Sequence, residues 1–187
     1  MPILGIMASQ ISGHLFAPSG AYDSISTGVG TGSNTEITFS SIPSTYKHLQ
    51  VRGIANATNV GESINIRLNG DSASNYTRHR LIGDGSTASA VGTVSNNQVT
   101  FLGNAGLPTV SNTYGVFVID ILDYTDTNKY TTMKVLSGQD SNGSGGVEFT
   151  SGLWLNTAAV TSLSLRINSS SYTTATQFAL YGIKGGN

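Results

Sequence analysis

From Tyr22 onward the chain is cut into short runs in which apolar and polar residues alternate, separated by glycine-rich turns, and no long segment carries a helical period. Alternation with a period of two puts every second side chain on the same face, which is the pattern of a β-strand with one face buried. Eleven runs are predicted as strands: 22–27, 35–40, 47–55, 63–68, 77–82, 99–102, 114–122, 130–137, 147–155, 161–167 and 177–183. In Ile64–Asn65–Ile66–Arg67–Leu68 and Leu163–Ser164–Leu165–Arg166–Ile167 the apolar residues fall strictly on one side. Val116 to Leu122 is instead apolar on both sides, and is expected to be a central strand covered on both faces. The intervening Leu68–Asn69–Gly70–Asp71, Gly83–Asp84–Gly85 and Ser141 to Gly146 carry Asn-Gly and Asp-Gly pairs that favour tight turns. Many short strands with such turns predict an all-β fold, an antiparallel β-sandwich of jelly-roll type.

The 187 residues suffice for one well-buried domain. Only 10% of them are charged, whereas Ser and Thr make up about a quarter of the chain, so hydroxyls and amides must cover the surface. Nine Lys and Arg against ten Asp and Glu leave no basic excess with which to neutralise phosphates, and nucleic acid is excluded as a partner on that ground. With no Cys, the chain has no disulfides, thiolate metal sites or Cys nucleophiles.

Residues 1–20 differ from the rest. They carry no charge, are rich in Ile, Leu, Met and Phe, and close on Pro18 and Gly20. Ser9, Gln10, Ser12, Gly13 and His14 interrupt their apolar stretch, which falls short of the roughly 20 apolar residues of a membrane helix, so no membrane insertion is expected. A secretory signal would begin with positive charge, and the first Lys or Arg is Lys47, so the mature chain is expected to start near Met1. The segment reads as an arm outside the sandwich domain of residues 21–187. Ile3, Leu4, Ile6, Met7, Ile11, Leu15 and Phe16 are its candidate docking residues.

Few constellations suggest chemistry. His14, His48 and His79 are far apart and lack metal-ligand spacing, and His48 is expected on a strand surface. Asp120, Asp123 and Asp126 resemble a calcium loop only superficially, since the Gly and Glu of that pattern are missing, and 123–128 reads as a polar turn whose side-chain oxygens cap backbone amides. No nucleophile elbow, phosphate loop or dinucleotide fingerprint occurs, so neither an enzyme nor a cofactor is expected. Arg78–His79–Arg80 is the one local basic cluster, and with Tyr172, in its run of serines, it forms the set of candidate ligand contacts. Trp154 lies inside an apolar run and is read as core.

Several blocks carry a resemblance when taken together: Met1 to Gln10, Gly20 to Ile25, Ser41 to Arg52, Leu68 to Asp71 with Asn75–Tyr76, Ile119 to Tyr124, and Phe178 to Lys184. They resemble a family of small virion structural proteins of tailed bacteriophages. The resemblance implies a non-enzymatic component of the particle exterior, made in the host cytoplasm. A tail fibre or tail-tip appendage module is implied first, docked by the N-terminal arm and touching a host-surface glycan. A capsid decoration protein that clamps shell subunits is the alternative, and a free carbohydrate-binding module a second one. The implied partners are other virion proteins and further copies of the chain, in a homo-oligomer such as a trimer. Burying about eight large apolar side chains at roughly 1.5–3 kcal/mol each gives on the order of 10–20 kcal/mol before ordering costs, enough to hold an arm in place.

Overall fold

The computed structural model describes residues 20–102, 106–109 and 112–185. The described residues form an all-β sandwich. In chain order the strands are β1 (Tyr22–Val29), β2 (Glu36–Phe39), β3 (His48–Ala55), β4 (Ile64–Leu68), β5 (Tyr76–Gly83) and β6 (Ala88–Asn96). They continue with β7 (Val99–Phe101), β8 (Gly115–Leu122), β9 (Thr131–Asp140), β10 (Gly145–Trp154), β11 (Leu163–Arg166) and β12 (Gln177–Ile183). Eight strands make one sheet, in the order β1-β12-β3-β8-β9-β10-β5-β6, and four make the other, β2-β11-β4-β7. Every pairing is antiparallel.

Without β5, β6, β9 and β10, what remains is β1-β12-β3-β8 facing β2-β11-β4-β7, the double Greek key of a jelly roll. The β9–β10 and β5–β6 hairpins are insertions that pair beyond β8 and double the width of one sheet. β7 packs against β10 and β5, so the small sheet covers the large one from β1 as far as β5 and leaves β6 as an overhang.

The eleven expected strands are all present. β6 is an addition that its sequence does not announce, because Ala88–Ser89–Ala90–Val91–Gly92–Thr93–Val94–Ser95–Asn96 has no buried face and its residues are exposed or half-buried. Turn chemistry follows the sequence: Asn69 and Gly70 (φ 52° and 67°) and Asn142 and Gly143 (φ 54° and 113°) take the left-handed backbone that Asn-Gly permits. Asn69 does more than turn. Its side chain accepts from the amides of Thr161 and Ser162 and donates to the Ala159 carbonyl, tying the β4–β5 connection to the approach to β11.

Between the sheets lie Ile37 and Phe39 from β2, Ile64, Ile66 and Leu68 from β4, and Leu163 and Leu165 from β11. Opposite them are Leu49 and Val51 from β3, Phe117, Ile119 and Ile121 from β8, and Phe178 and Leu180 from β12. Phe101, Phe117, Phe178 and Tyr172 form a chain of edge-to-face rings with centroids 5.2, 5.2 and 5.3 Å apart. This chain needs Gly53: a Cβ there would sit 2.5 Å from Phe117 Cζ and 2.6 Å from Phe178 Cδ1. Gly53→Ala is therefore expected to lower stability by about 1–3 kcal/mol, read from the urea midpoint. Adding Phe117→Leu should return part of the loss, whereas strictly additive losses would show that the rings do not hold Gly53 as described.

Candidate functional site

The register across the large sheet sets two rows of side chains side by side on its outer face. One runs Gln177, Ile54, Val116, Gly138, Val147, Gly83. The other runs Ala179, Arg52, Val118, Leu136, Phe149, Leu81. Ile54, Leu81, Val116, Leu136, Val147 and Phe149 are all exposed, Leu136 at 59% and Val147 at 64%. Between β12 and β10 these rows line a shallow groove of about 690 Å³ with Thr27, Ala179 and Tyr181 at one end. Val116 to Leu122 is thus apolar on both sides but covered on one: Phe117, Ile119 and Ile121 point into the core, while Val116 and Leu122 are exposed. This corrects the expectation of a strand buried on both faces. An unneighboured apolar face, rather than a second core layer, explains the second set of apolar residues.

The next row along the same face is polar and tightly connected. Gln50 Nε2 donates to Asp120 Oδ1 at 2.7 Å, Arg52 Nε donates to Gln50 Oε1 at 2.7 Å, and Lys134 Nζ pairs with Asp120 Oδ2 at 3.1 Å. The Arg52 guanidinium also lies over the rings of Tyr22 and Tyr181, 5.3 and 5.7 Å from their centroids. The only charge in the apolar rows is therefore already held by partners, and the polar row bounds the groove on the side nearer Tyr22.

The structure separates the candidate ligand contacts. Strand alternation sends His79 to the outer face, where its ring lies over Gly92, and Arg78 and Arg80 to the inner one. Arg78 Nη1 donates to the Thr100 carbonyl on β7 and Nε donates to Thr93 Oγ1, so this side chain bridges the two sheets. Burial, with Arg80 second, lowers its pKa from the usual arginine value. Arg80 pairs with buried Glu148 at 3.2 Å. Tyr172 is fully buried and packs edge-to-face on Phe178, and burial, followed by the carboxylates of Glu36 and Glu62, pushes its phenol well above the ordinary tyrosine range. Of the four candidate ligand contacts only His79 reaches the outer face, while Arg78, Arg80 and Tyr172 are engaged in the interior. Trp154 is core as read, and its Nε1 donates to Asp71 Oδ2 at 2.7 Å.

Asp120, Asp123 and Asp126 do not converge. Asp120 belongs to the polar row, Asp126 Oδ1 accepts from the Asn128 amide as a turn cap, and Asp123 pairs with Lys129 and, at 2.8 Å, with Lys47. His48, half-buried at the start of β3, accepts from the Asp123 amide through Nδ1. Among the described residues no three His, Cys, Asp or Glu side chains gather as a metal site would require. The arm residues Ile3, Leu4, Ile6, Met7, Ile11, Leu15 and Phe16 lie outside the described residues.

No model of a known protein family matches the chain, and none of the curated proteins does. Among solved structures it is similar to a protein of unknown function from Shewanella oneidensis MR-1, with 8% identity over 90% of this chain and 78% of that one. The TM-score of 0.25 is too low to carry an argument.

The Asp123 turn gives a pH prediction. Hydrogen bonds from Lys129 and then Lys47 hold its carboxyl at about 2, below the roughly 3.9 of an unfolded Asp. Its contribution to stability is then fully present above about pH 4 and is lost as the pH falls through about 2. Asn tolerates the left-handed backbone Asp123 adopts (φ 47°), so Asp123→Asn isolates the charge. The variant should be less stable at pH 7, with the difference closing between pH 4 and 2 in urea titrations. The buried pair makes a second prediction: Arg80→Met removes the guanidinium hydrogen-bonded to buried Glu148 and should cost about 3–5 kcal/mol in the same assay.

Proposed function

We propose that this is a non-enzymatic structural protein on the exterior of a tailed-phage particle, a tail fibre or tail-tip appendage module docked by its N-terminal arm. The observation that carries this reading is the outer face of the large sheet. Six exposed apolar side chains lie in two adjacent rows, on a chain that is otherwise poor in charge and covered by hydroxyls. Contiguous apolar surface of this kind marks a protein contact. A jelly roll widened by two hairpins supplies it on rigid strands, and the sequence of residues 1–20 adds a second apolar segment. The blocks that resemble tailed-phage virion proteins span nearly the whole chain and favour a particle as the setting.

A host-surface glycan is the proposed outward ligand of such an appendage. His79 remains available for it, since Arg78, Arg80 and Tyr172 are engaged inside. A free carbohydrate-binding module is less well supported, because Trp154 and Tyr172, the aromatics best suited to stack on sugars, are both buried.

Immunogold electron microscopy of intact virions tests the reading. Label on the tail is expected. Label over the head would move the protein to the capsid decoration role, and particles without label would overturn the virion assignment. In the same particles, deletion of Met1 to Ser19 should abolish incorporation, and incorporation at the wild-type level would remove the arm from the docking mechanism.

A further inference from the structure

The apolar rows of the large sheet and the apolar N-terminal segment are two surfaces that water disfavours in one molecule. The exposed parts of Ile54, Leu81, Val116, Leu136, Val147 and Phe149 amount to on the order of 600 Å², at the upper end of the largest patch on a typical monomer. Residues 1–19 contain no Asp, Glu, Lys or Arg, and the one charge on the rows, Arg52, is taken up by Gln50, Tyr22 and Tyr181. Neither surface asks the other for a counter-ion.

We propose that the outer apolar rows of the large sheet receive the N-terminal arm of a second copy of this chain, so that arm exchange builds the homo-oligomer. The inference rests on the docking-arm reading above and names what the arm docks on.

The position of the chain's exit favours a second copy over the arm's own sheet. The backbone still follows β12 at Ala21, whose carbonyl accepts from the Lys184 amide. Tyr22 pairs with Ile183 at one end of β1, whereas the apolar rows lie towards its other end, level with Thr27 and Val29. Continued in the line of β1, the chain leads away from its own apolar rows. To return it would have to reverse over Tyr22 and cross the Gln50–Asp120–Lys134 row, which binds its own partners and offers nothing to an apolar strap. Nineteen extended residues span up to roughly 60 Å, beyond the diameter of a domain of this size, so a neighbour's groove is within reach.

The absence of Cys makes the test direct. Full-length chains with Ile3→Cys, Met7→Cys or Ile11→Cys are mixed with differently tagged full-length chains carrying Leu136→Cys, and mild oxidation is followed on non-reducing gels. Thr38→Cys, exposed on the outer face of the small sheet, is the control acceptor. Disulfides between the two tagged chains should form roughly tenfold or more faster with Leu136→Cys than with Thr38→Cys, because docking raises the local concentration of the pair. An unchanged urea midpoint in each variant shows that the fold is intact. If the link forms only when both cysteines are in one chain, the arm lies on its own sheet and the proposal falls. It falls equally if no arm position exceeds the control, or if Leu136→Cys chains link only to one another, which would indicate sheet-to-sheet pairing. The readout uses purified protein, so unlabelled virions would sink the particle reading and leave this result standing.

Discussion

The edge-to-face chain from Phe101 through Phe117 and Phe178 to Tyr172 is the contact on which the rest of the molecule depends. It runs from β7 in the small sheet to β8 and β12 in the large one and ends in the loop before β12. Edge-to-face rings fix position and angle as well as separation, so the two sheets cannot slide without breaking several favourable contacts at once. Gly53 leaves the space the chain occupies, and Tyr172 is held in place by backbone hydrogen bonds to Asn34 and Gly32. With the sheets locked by their inner faces, the register of the outer face is determined too, because each strand has only two sides.

The inserted hairpins turn that locked register into a surface. In the eight-stranded jelly roll alone, the outer row would end at Val116 and Val118 on β8. Pairing β9, β10 and β5 beyond it places Leu136, then Val147 and Phe149, then Leu81 in line with them. The inner side of the same insertion needs different chemistry, since the small sheet ends near β7. There Arg80 and Thr150 bond to Glu148, and Arg78 bonds to Thr93 and to the Thr100 carbonyl on the edge of β7. Around Arg80 and Glu148 polar residues face inward while Leu81, Leu136, Val147 and Phe149 face outward, although Tyr76, Met133, Val135 and Trp154 of the same strands still point into the core. This local patch, apolar on its outer side, supports the view that the outer side is built to be covered.

The fold was largely legible because its most regular strands obey one rule. Ile64–Asn65–Ile66–Arg67–Leu68 and Leu163–Ser164–Leu165–Arg166 alternate, and the structure buries the apolar set of each between the sheets. Even here Asn65 is buried on the other face, where it accepts from Thr100 Oγ1, a sideways hydrogen bond that alternation alone does not announce. β6 escaped notice because an overhanging edge has nothing to bury and its residues, Val91 and Val94 included, show no buried alternation. The candidate site was less legible for a related reason. Both-sided apolarity in Val116 to Leu122 has two causes, a second core layer or an uncovered face, and only the register of its neighbours separates them. Arg78–His79–Arg80 looks like a cluster in one dimension, although period-two alternation already implies that its arginines and its histidine face opposite ways. Tyr172 was misread because its serine neighbours suggested a solvated loop, whereas backbone bonds draw that loop into the core.

The distribution of charge argues for permanent rather than transient contact. Apart from the buried Arg80–Glu148 pair, ion pairs lie at the margins of the apolar rows, as in Asp120 with Lys134, or at turns, as in Asp123 with Lys47 and Lys129. A surface evolved for rapid, reversible encounter gains from charge that steers the partner, and its affinity then falls with salt. An apolar contact bordered by internally paired charges gains little from steering and weakens little with salt. An interface of that kind would persist across widely different ionic strengths, as the proposed role on a particle would require.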